Sequence, residues 1–177
     1  MISGSLAVGD EIELNINKSL RNSIKKNHSA THLLHAALRN HLGNHVAQRG
    51  SLVNEEKLRF DFSHNKQISK EQITKIQGEV NTIIANSIET DISIKSQEEA
   101  IQQGAIALFG EKYGDEVRVV TLGSKDNNPY SIELCGGTHV GNVLDINKFK
   151  TTRCEFDDWA KFVAVSYTHL TLPTRLS

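Results

Sequence analysis

Apolar and polar residues alternate with a period of two in several parts of the chain, which is typical of strands that bury one face. Ile12, Leu14 and Ile16, for example, alternate with polar side chains after a Gly-Asp turn. Strands are predicted at residues 6–16, 45–53, 57–62, 91–96, 116–122 and 130–135. The second and third are separated by a connection of hairpin length, so we expect them to pair.

Segments whose apolar residues have helical spacing lie between these strands. From Asn27, whose side chain suits an N-cap, an apolar stripe predicts a helix that ends at Gly43. A second helix is predicted over 70–88, because Ser69 and Gln72 form a capping box before an isoleucine-rich stripe. A short third helix follows the fourth strand. Helices and strands mixed in this way, with short connections, indicate an α+β fold rather than a doubly wound sheet.

Length and composition limit the classes of protein that remain. The chain has 177 residues, of which 38% are hydrophobic, enough for one sizeable core or a core with a small appendage. The net charge of -1 excludes a global basic field for nucleic acid, so an RNA partner must be bound by local clusters. One basic run lies at Lys18, Arg21, Lys25 and Lys26, and it is either an RNA contact or a solvated face.

The same composition predicts a cytoplasmic protein. No apolar stretch approaches the roughly 18 residues of a membrane span, and the N-terminus lacks the layout of a signal peptide. Two cysteines do not make a disulfide framework. After about residue 150 the hydrophobic pattern loses coherence, so we expect 151–177 to be a non-native or disordered tail.

Two short motifs about a hundred residues apart carry the candidate chemistry. His28 and His32 are four residues apart, which places them on one helix face, about 6 Å apart along the axis. Cys135 and His139 flank a pair of glycines that let the backbone turn tightly. Imidazole and thiolate are ligands that zinc prefers, and these four could surround one tetrahedral ion. Each motif is weak alone, but together they predict a zinc site.

Other histidines offer alternatives. His35 lies near the same helix face, so spacing alone allows it to replace either His28 or His32. His41 and His45 repeat the spacing, but the predicted helix end falls between them, and we expect no metal role for that pair. A lone histidine pair on a helix is more often structural than metal-binding.

Four sequence blocks follow one another along the chain: HSATHLLHAALR (28–39), GSLVNEEKLRFDFSH (50–64), FGEKYGDEVRVV (109–120) and SIELCGGTHV (131–140). Together they resemble the editing domain of alanyl-tRNA synthetases. Threonyl-tRNA synthetases share a related domain, but the sequences of the second and fourth blocks are similar to the alanyl branch. The resemblance covers roughly residues 5–150.

The resemblance implies a fold and a division of the chain. It implies a two-layer antiparallel sheet with helices on one face, in which the helix of the two histidines lines the site. Residues 1–20 would end a β-barrel-like segment that precedes the editing domain, and 21–150 would form that domain. The chain would then be an internal piece of a longer enzyme that attaches alanine to tRNA(Ala) with ATP, whose aminoacylation domain it lacks.

The resemblance also implies an activity, hydrolysis of Ser-tRNA(Ala) and Gly-tRNA(Ala) at a Zn²⁺ ion. The implied ligands are His28, His32, Cys135 and His139, and Gln48 matches a glutamine of the editing pocket. An apolar synthetic pocket rejects an added hydroxyl poorly, which is why a second, hydrolytic site is needed. Two alternatives stay open: a free-standing trans-editing deacylase, and a zinc-binding RNA module without catalysis.

Overall fold

The computed structural model describes residues 4–5, 7–107, 114–123, 128–156 and 160–167. Residues 109–113 of the third family-like block lie outside this part. The elements in chain order are α1 (Lys18–Leu42), β1 (Gln48–Val53), β2 (Leu58–Phe62), α2 (Lys70–Ala85), β3 (Asp91–Ser96), α3 (Gln97–Gln102), β4 (Glu116–Leu122), β5 (Ser131–Leu134), a 3-10 turn (Val143–Ile146), β6 (Lys148–Phe156) and β7 (Ala160–Tyr167).

The strands form two antiparallel sheets, which confirms the α+β prediction. One sheet has four strands in the order β1-β2-β7-β6, and the other has three in the order β3-β4-β5. β1 and β2 pair antiparallel, as their spacing predicts. Helix α1 contacts strands of both sheets, so residues on its surface can meet residues at the end of β5.

Helix α1 begins nine residues before the predicted N-cap. Asn17 is the N-cap, and its side chain accepts a hydrogen bond from the backbone N–H of Leu20. The basic run that follows is helical, since lysine and arginine are good helix formers. Asn27 is instead buried within the helix, where its amide donates to the carbonyl of Asn54. The predicted end at Gly43 is confirmed, with a left-handed φ of 113°.

Helix α2 confirms its predicted start. Ser69 and Gln72 form the capping box, and the buried stripe is Ile76, Val80 and Ile84. The helix ends at Ala85, three residues before the predicted end.

The predicted strand at 6–16 is wrong over its described residues 7–16. These residues form no strand, and Ile12, Leu14 and Ile16 are exposed by more than half. A strand needs a neighbour for its backbone groups, and residues 7–16 pair with no strand of the described chain. The barrel-like assignment of 1–20 stays a prediction for the residues before Lys18, where helix α1 begins.

Residues 151–156 and 160–167 of the predicted tail form strands, so they are not a disordered tail, while their non-native origin stays a prediction. β7 lies between β2 and β6 in the four-stranded sheet, and Ala160, Phe162 and Ala164 are fully buried. Alternating small and large apolar residues fill the space beneath the sheet, and Phe162 pairs with Phe60 across the strands. Because that partner is about a hundred residues earlier, the local pattern alone gives a weak signal. Residues 168–177 lie outside the described part.

The main core lies between the four-stranded sheet and the two long helices. Its largest fully buried side chains are phenylalanines of β2, β6 and β7 and leucines of α1. A smaller core under the three-stranded sheet contains Ala100, Val117, Val119 and Leu134. Within the described residues, no helix is both long and apolar enough to cross a membrane.

Candidate metal centre

Four metal-type side chains converge where α1 passes the end of β5. His28 and His32 come from α1, Cys135 follows β5 directly, and His139 lies four residues beyond. One ligand atom of each lies within 4.8 Å of the ligand atoms of the others. His32 and His139 are buried, whereas His28 and Cys135 are half-buried and lie on the more open side. The structure thus brings all four predicted residues together.

Two of the donor separations fit one tetrahedral ion. With Zn–N of about 2.0–2.1 Å and Zn–S of about 2.3 Å, a tetrahedral site places nitrogen and sulfur about 3.5 Å apart. The Cys135 Sγ lies 3.6 Å from His28 Nε2 and 3.4 Å from His139 Nε2. His32 Nε2 is buried and has no hydrogen-bond partner among the described residues. A metal ion would satisfy that orphaned nitrogen, so the residues fit zinc.

Glu133 fixes the orientation of His32 from behind. Its carboxylate lies 2.8 Å from His32 Nδ1 and 3.0 Å from Nδ1 of His35, and all three side chains are buried. Each Nδ1–H can donate to the carboxylate, which directs the lone pair of His32 to Nε2. His139 is oriented in a similar way, since its Nδ1 lies 3.2 Å from Ser29 Oγ.

The charges around the cluster favour a thiolate. Burial raises the pKa of Cys135, but hydrogen bonds with the imidazoles of His139 and His28 and the nearby charge of His32 outweigh it, and the pKa falls to about 3. Burial also lowers the pKa of His32, yet the neighbouring Glu133 carboxylate and the Cys135 sulfur raise it to about 10, so a metal ion would displace a proton from Nε2 when it binds. Ion pairing with His32 holds the pKa of Glu133 below its usual range despite burial. Cys135 is therefore present in the form that binds metals.

Space rather than backbone freedom explains the second glycine of the loop. A Cβ at Gly137 would lie 2.1 Å from Cε1 of His28, whereas a Cβ at Gly136 would meet nothing within 4 Å. Neither glycine has a positive φ, so the predicted reason, a tight turn, is not the one the structure shows. Arg118 fixes the loop by donating to the carbonyls of Cys135 and Gly137, at 2.7 and 2.8 Å.

The remaining candidates lie apart from these four clustered side chains. His35 bonds to Glu133 and is not one of the four grouped donors. His41 pairs with Glu79 and His45 with His64, at 2.7 and 2.9 Å between nitrogen and partner. Gln48 begins β1 opposite Phe62 and is half-buried. Its role in a pocket stays a prediction.

Three supporting residues escaped the sequence analysis: Ser29, Arg118 and Glu133. Glu133 carried a usable signal, because an acid at an inward position of a buried strand needs a partner. Ser131, two residues earlier in β5, is buried on the same face and lies 3.3 Å from the carboxylate. The other two act through contacts between distant segments and have no local signature.

Residues 117–157 match the family described as the threonyl and alanyl tRNA synthetase second additional domain. This segment belongs to that family. The matching segment includes β4, β5 and the loop with Cys135 and His139. It also includes β6, which agrees with the place of that strand in the sheet.

Most of the chain is similar to part of several alanine–tRNA ligases. The alanine–tRNA ligase of Parvibaculum lavamentivorans is 53% identical over 150 residues, which is 83% of this chain and 17% of that protein. The alanine–tRNA ligase of Sphingopyxis alaskensis is 51% identical over 148 residues, 84% of this chain and 17% of that protein. The chain therefore spans about one sixth of the length of these relatives.

Proposed function

We propose that the chain is the editing portion of an alanine–tRNA ligase and hydrolyses the ester of Ser-tRNA(Ala) and Gly-tRNA(Ala) at a zinc ion. The observation that carries the proposal is the convergence of His28, His32, Cys135 and His139, in which the separations of the Cys135 sulfur from two imidazole nitrogens suit tetrahedral zinc. The similarity to alanine–tRNA ligases supports the choice of substrate. The parent enzyme would attach alanine to tRNA(Ala) with ATP in the cytoplasm.

The side chains in and around the cluster would have separate roles in this reaction. A bound zinc ion would act as a Lewis acid toward an ester carbonyl or a water molecule. Glu133 keeps the Nε2 lone pair of His32 directed to the metal, and Arg118 fixes the loop that carries Cys135. His28 and Cys135 are the half-buried ligands, so the ester would approach from their side. We further propose that Gln48 contacts the substrate in this pocket.

Deacylation measured with and without metal tests the proposal. The purified chain should release serine from Ser-tRNA(Ala) faster than the spontaneous rate, lose this activity with a chelator, and regain it with added zinc. His32→Ala should remove the activity, while His41→Ala, on the same helix but bonded to Glu79, should keep it. Zinc-loaded chain that releases serine no faster than buffer would refute the proposal.

A second candidate is a zinc-binding RNA module without catalysis. The observation in its favour is that four protein ligands close a tetrahedral site, as structural zinc sites do. It predicts that Cys135→Ala unfolds the chain. A folded Cys135→Ala variant with lost deacylation would favour the editing function, so circular dichroism and deacylation of one variant separate the two.

A further inference from the structure

The N-terminal half of α1 carries three cations on the same face as the metal ligands. At about 100° per residue, Lys18, Arg21 and Lys25 fall within an arc of about 80° that also contains His28 and His32. Lys25 precedes His28 by about 4.5 Å along the axis, and Arg21 lies one turn earlier. Lys26 is turned about 100° away from Lys25. The basic run is thus divided into a row that leads to the metal centre and one cation beside it.

This row keeps its positive charge. Among the residues that the structure describes, Lys18, Arg21 and Lys25 form no ion pair. The first turn of α1 contains no acidic residue, so the positive end of the helix dipole adds to the same field. The nearest acids along the chain, Asp10, Glu11 and Glu13, lie in the exposed segment before the helix.

The row faces the open side of the site. His28, the ligand nearest to it, is half-buried and Gly136 is exposed, whereas His32 one turn further is buried. Asn27 marks the opposite side of the helix, where it bonds to Asn54 and to Ser166 of β7. Lys18 is exposed, and Arg21 and Lys25 are half-buried, so the three cations lie on the side of α1 that ends at His28 rather than on the side of Asn27 that packs against β7.

We propose that Arg21 and Lys25, with Lys18 behind them, bind successive backbone phosphates at the single-stranded 3′ end of the tRNA whose terminal ester reaches the metal centre. This proposal rests on the proposed function, because that function places a 3′ ester at the cluster. A polynucleotide carries charge at regular intervals up to its last nucleotide, which suits a row of cations one helical turn apart. The contact would position RNA without reading its sequence.

Binding measured against salt concentration tests the row directly. The probe is a tRNA(Ala) acceptor minihelix that carries serine through a non-hydrolysable 3′ amide. Arg21→Ala and Lys25→Ala should each weaken binding about two- to fivefold. Each should also reduce the slope of log affinity against log salt by about 0.7, the value for one single-strand phosphate. Lys26→Ala, one residue away with the same charge, is the matched control and should change both quantities less.

The outcomes separate this inference from the proposed function. Equal losses of minihelix affinity for Lys25→Ala and Lys26→Ala would overturn the proposed phosphate contacts. Unchanged salt slopes in both Arg21→Ala and Lys25→Ala would also overturn them. Melting temperatures close to that of the unmodified chain would show that the variants are folded. Deacylation of Ser-tRNA(Ala) by the unmodified, zinc-loaded chain tests the chemistry separately. If that ester is released no faster than in buffer, the proposed function fails, while the minihelix titration still decides whether the row binds phosphates.

Discussion

Replacing Gly137 by alanine should expel His28 from the metal centre without breaking the fold. The added Cβ would lie 2.1 Å from His28 Cε1 and 2.7 Å from its Nδ1, against 3.4–4 Å for an ordinary contact. The imidazole must therefore move by more than about 1 Å, whereas metal–ligand distances tolerate only about 0.2 Å. The loop cannot easily move instead, because Arg118 bonds to the carbonyl of Gly137.

The magnitude follows from the loss of one ligand of four. Disturbing a residue that merely supports a ligand costs about 10–100-fold in metal affinity, so displacing a ligand should cost at least about 100-fold. Gly136→Ala is the matched control, since its Cβ meets nothing within 4 Å and its φ is not positive. That variant should bind zinc as the unmodified chain does. It should also be more stable by about 0.4–1 kcal/mol, because alanine restricts the unfolded chain.

Competition with a chromophoric chelator gives the zinc affinity of both variants, and thermal unfolding in excess chelator reports the metal-free fold. The expected pattern is a large loss of affinity for Gly137→Ala alone, with similar unfolding temperatures without metal. If Gly137→Ala binds zinc as tightly as Gly136→Ala, His28 is not a ligand, and the tetrahedral reading of the cluster is wrong.

Three further changes test other parts of the structure. Glu133→Gln should weaken zinc binding about 10–100-fold in the same competition assay while the fold survives, because His32 loses its charged partner; unchanged affinity would contradict the orienting role. Phe162→Ala should lower the free energy of unfolding in urea by about 3–5 kcal/mol, whereas Phe156→Ala should lower it far less, because Phe156 is 44% exposed. Equal effects would contradict the buried place of β7 in the sheet. Burial raises the pKa of Glu79, but hydrogen bonds outweigh it and hold that pKa below its usual value, so its stabilising effect is present above about pH 4.5 and is lost as the pH falls below that. The hydrogen bonds come from Tyr130 and Asn40, and the imidazole of His41 pairs with the same carboxylate. Unfolding at pH 7 and pH 4 should show a smaller acid-induced loss for Glu79→Gln, and an equal loss would contradict this.

Local signals predicted the parts of the fold that depend on neighbouring residues. The capping box at Ser69, the helix end at Gly43 and the β1–β2 hairpin all rest on chemistry within a few positions, and all three are confirmed. In the structure, helix α1 begins earlier than predicted, because its N-cap Asn17 precedes a basic run with few apolar residues. Apolar periodicity alone therefore predicts the start of such a helix too late.

Where strand formation depends on distant partners, the local pattern predicted one strand that is absent from residues 7–16 and missed another, β7. Residues 7–16 alternate like a strand but pair with no strand in the described chain, so the alternation reports only what the segment could do. β7 shows the reverse case, since its pairing with β2 and β6 gives it a central place that its own pattern barely indicates. The clustering of His28, His32, Cys135 and His139 was predictable because metal chemistry restricts residue types. Their supports, such as Ser29, were not, because any polar residue could serve.

Those supports bear on whether zinc is needed for the fold or for a reaction. Three contacts join α1 to residues 131–140 without using a ligand lone pair that the metal needs. Ser29 Oγ accepts from the Val140 N–H at 3.1 Å and lies 3.2 Å from Nδ1 of His139, while His32 Nδ1 lies 2.8 Å from Glu133. Small zinc domains lack such contacts and unfold without metal. Here the large core and these bonds should keep the cluster assembled, so Cys135→Ala is expected to retain its near-native circular dichroism while it loses zinc. A variant that unfolds instead would make the metal a structural element and remove the strongest argument for a preorganised reaction centre.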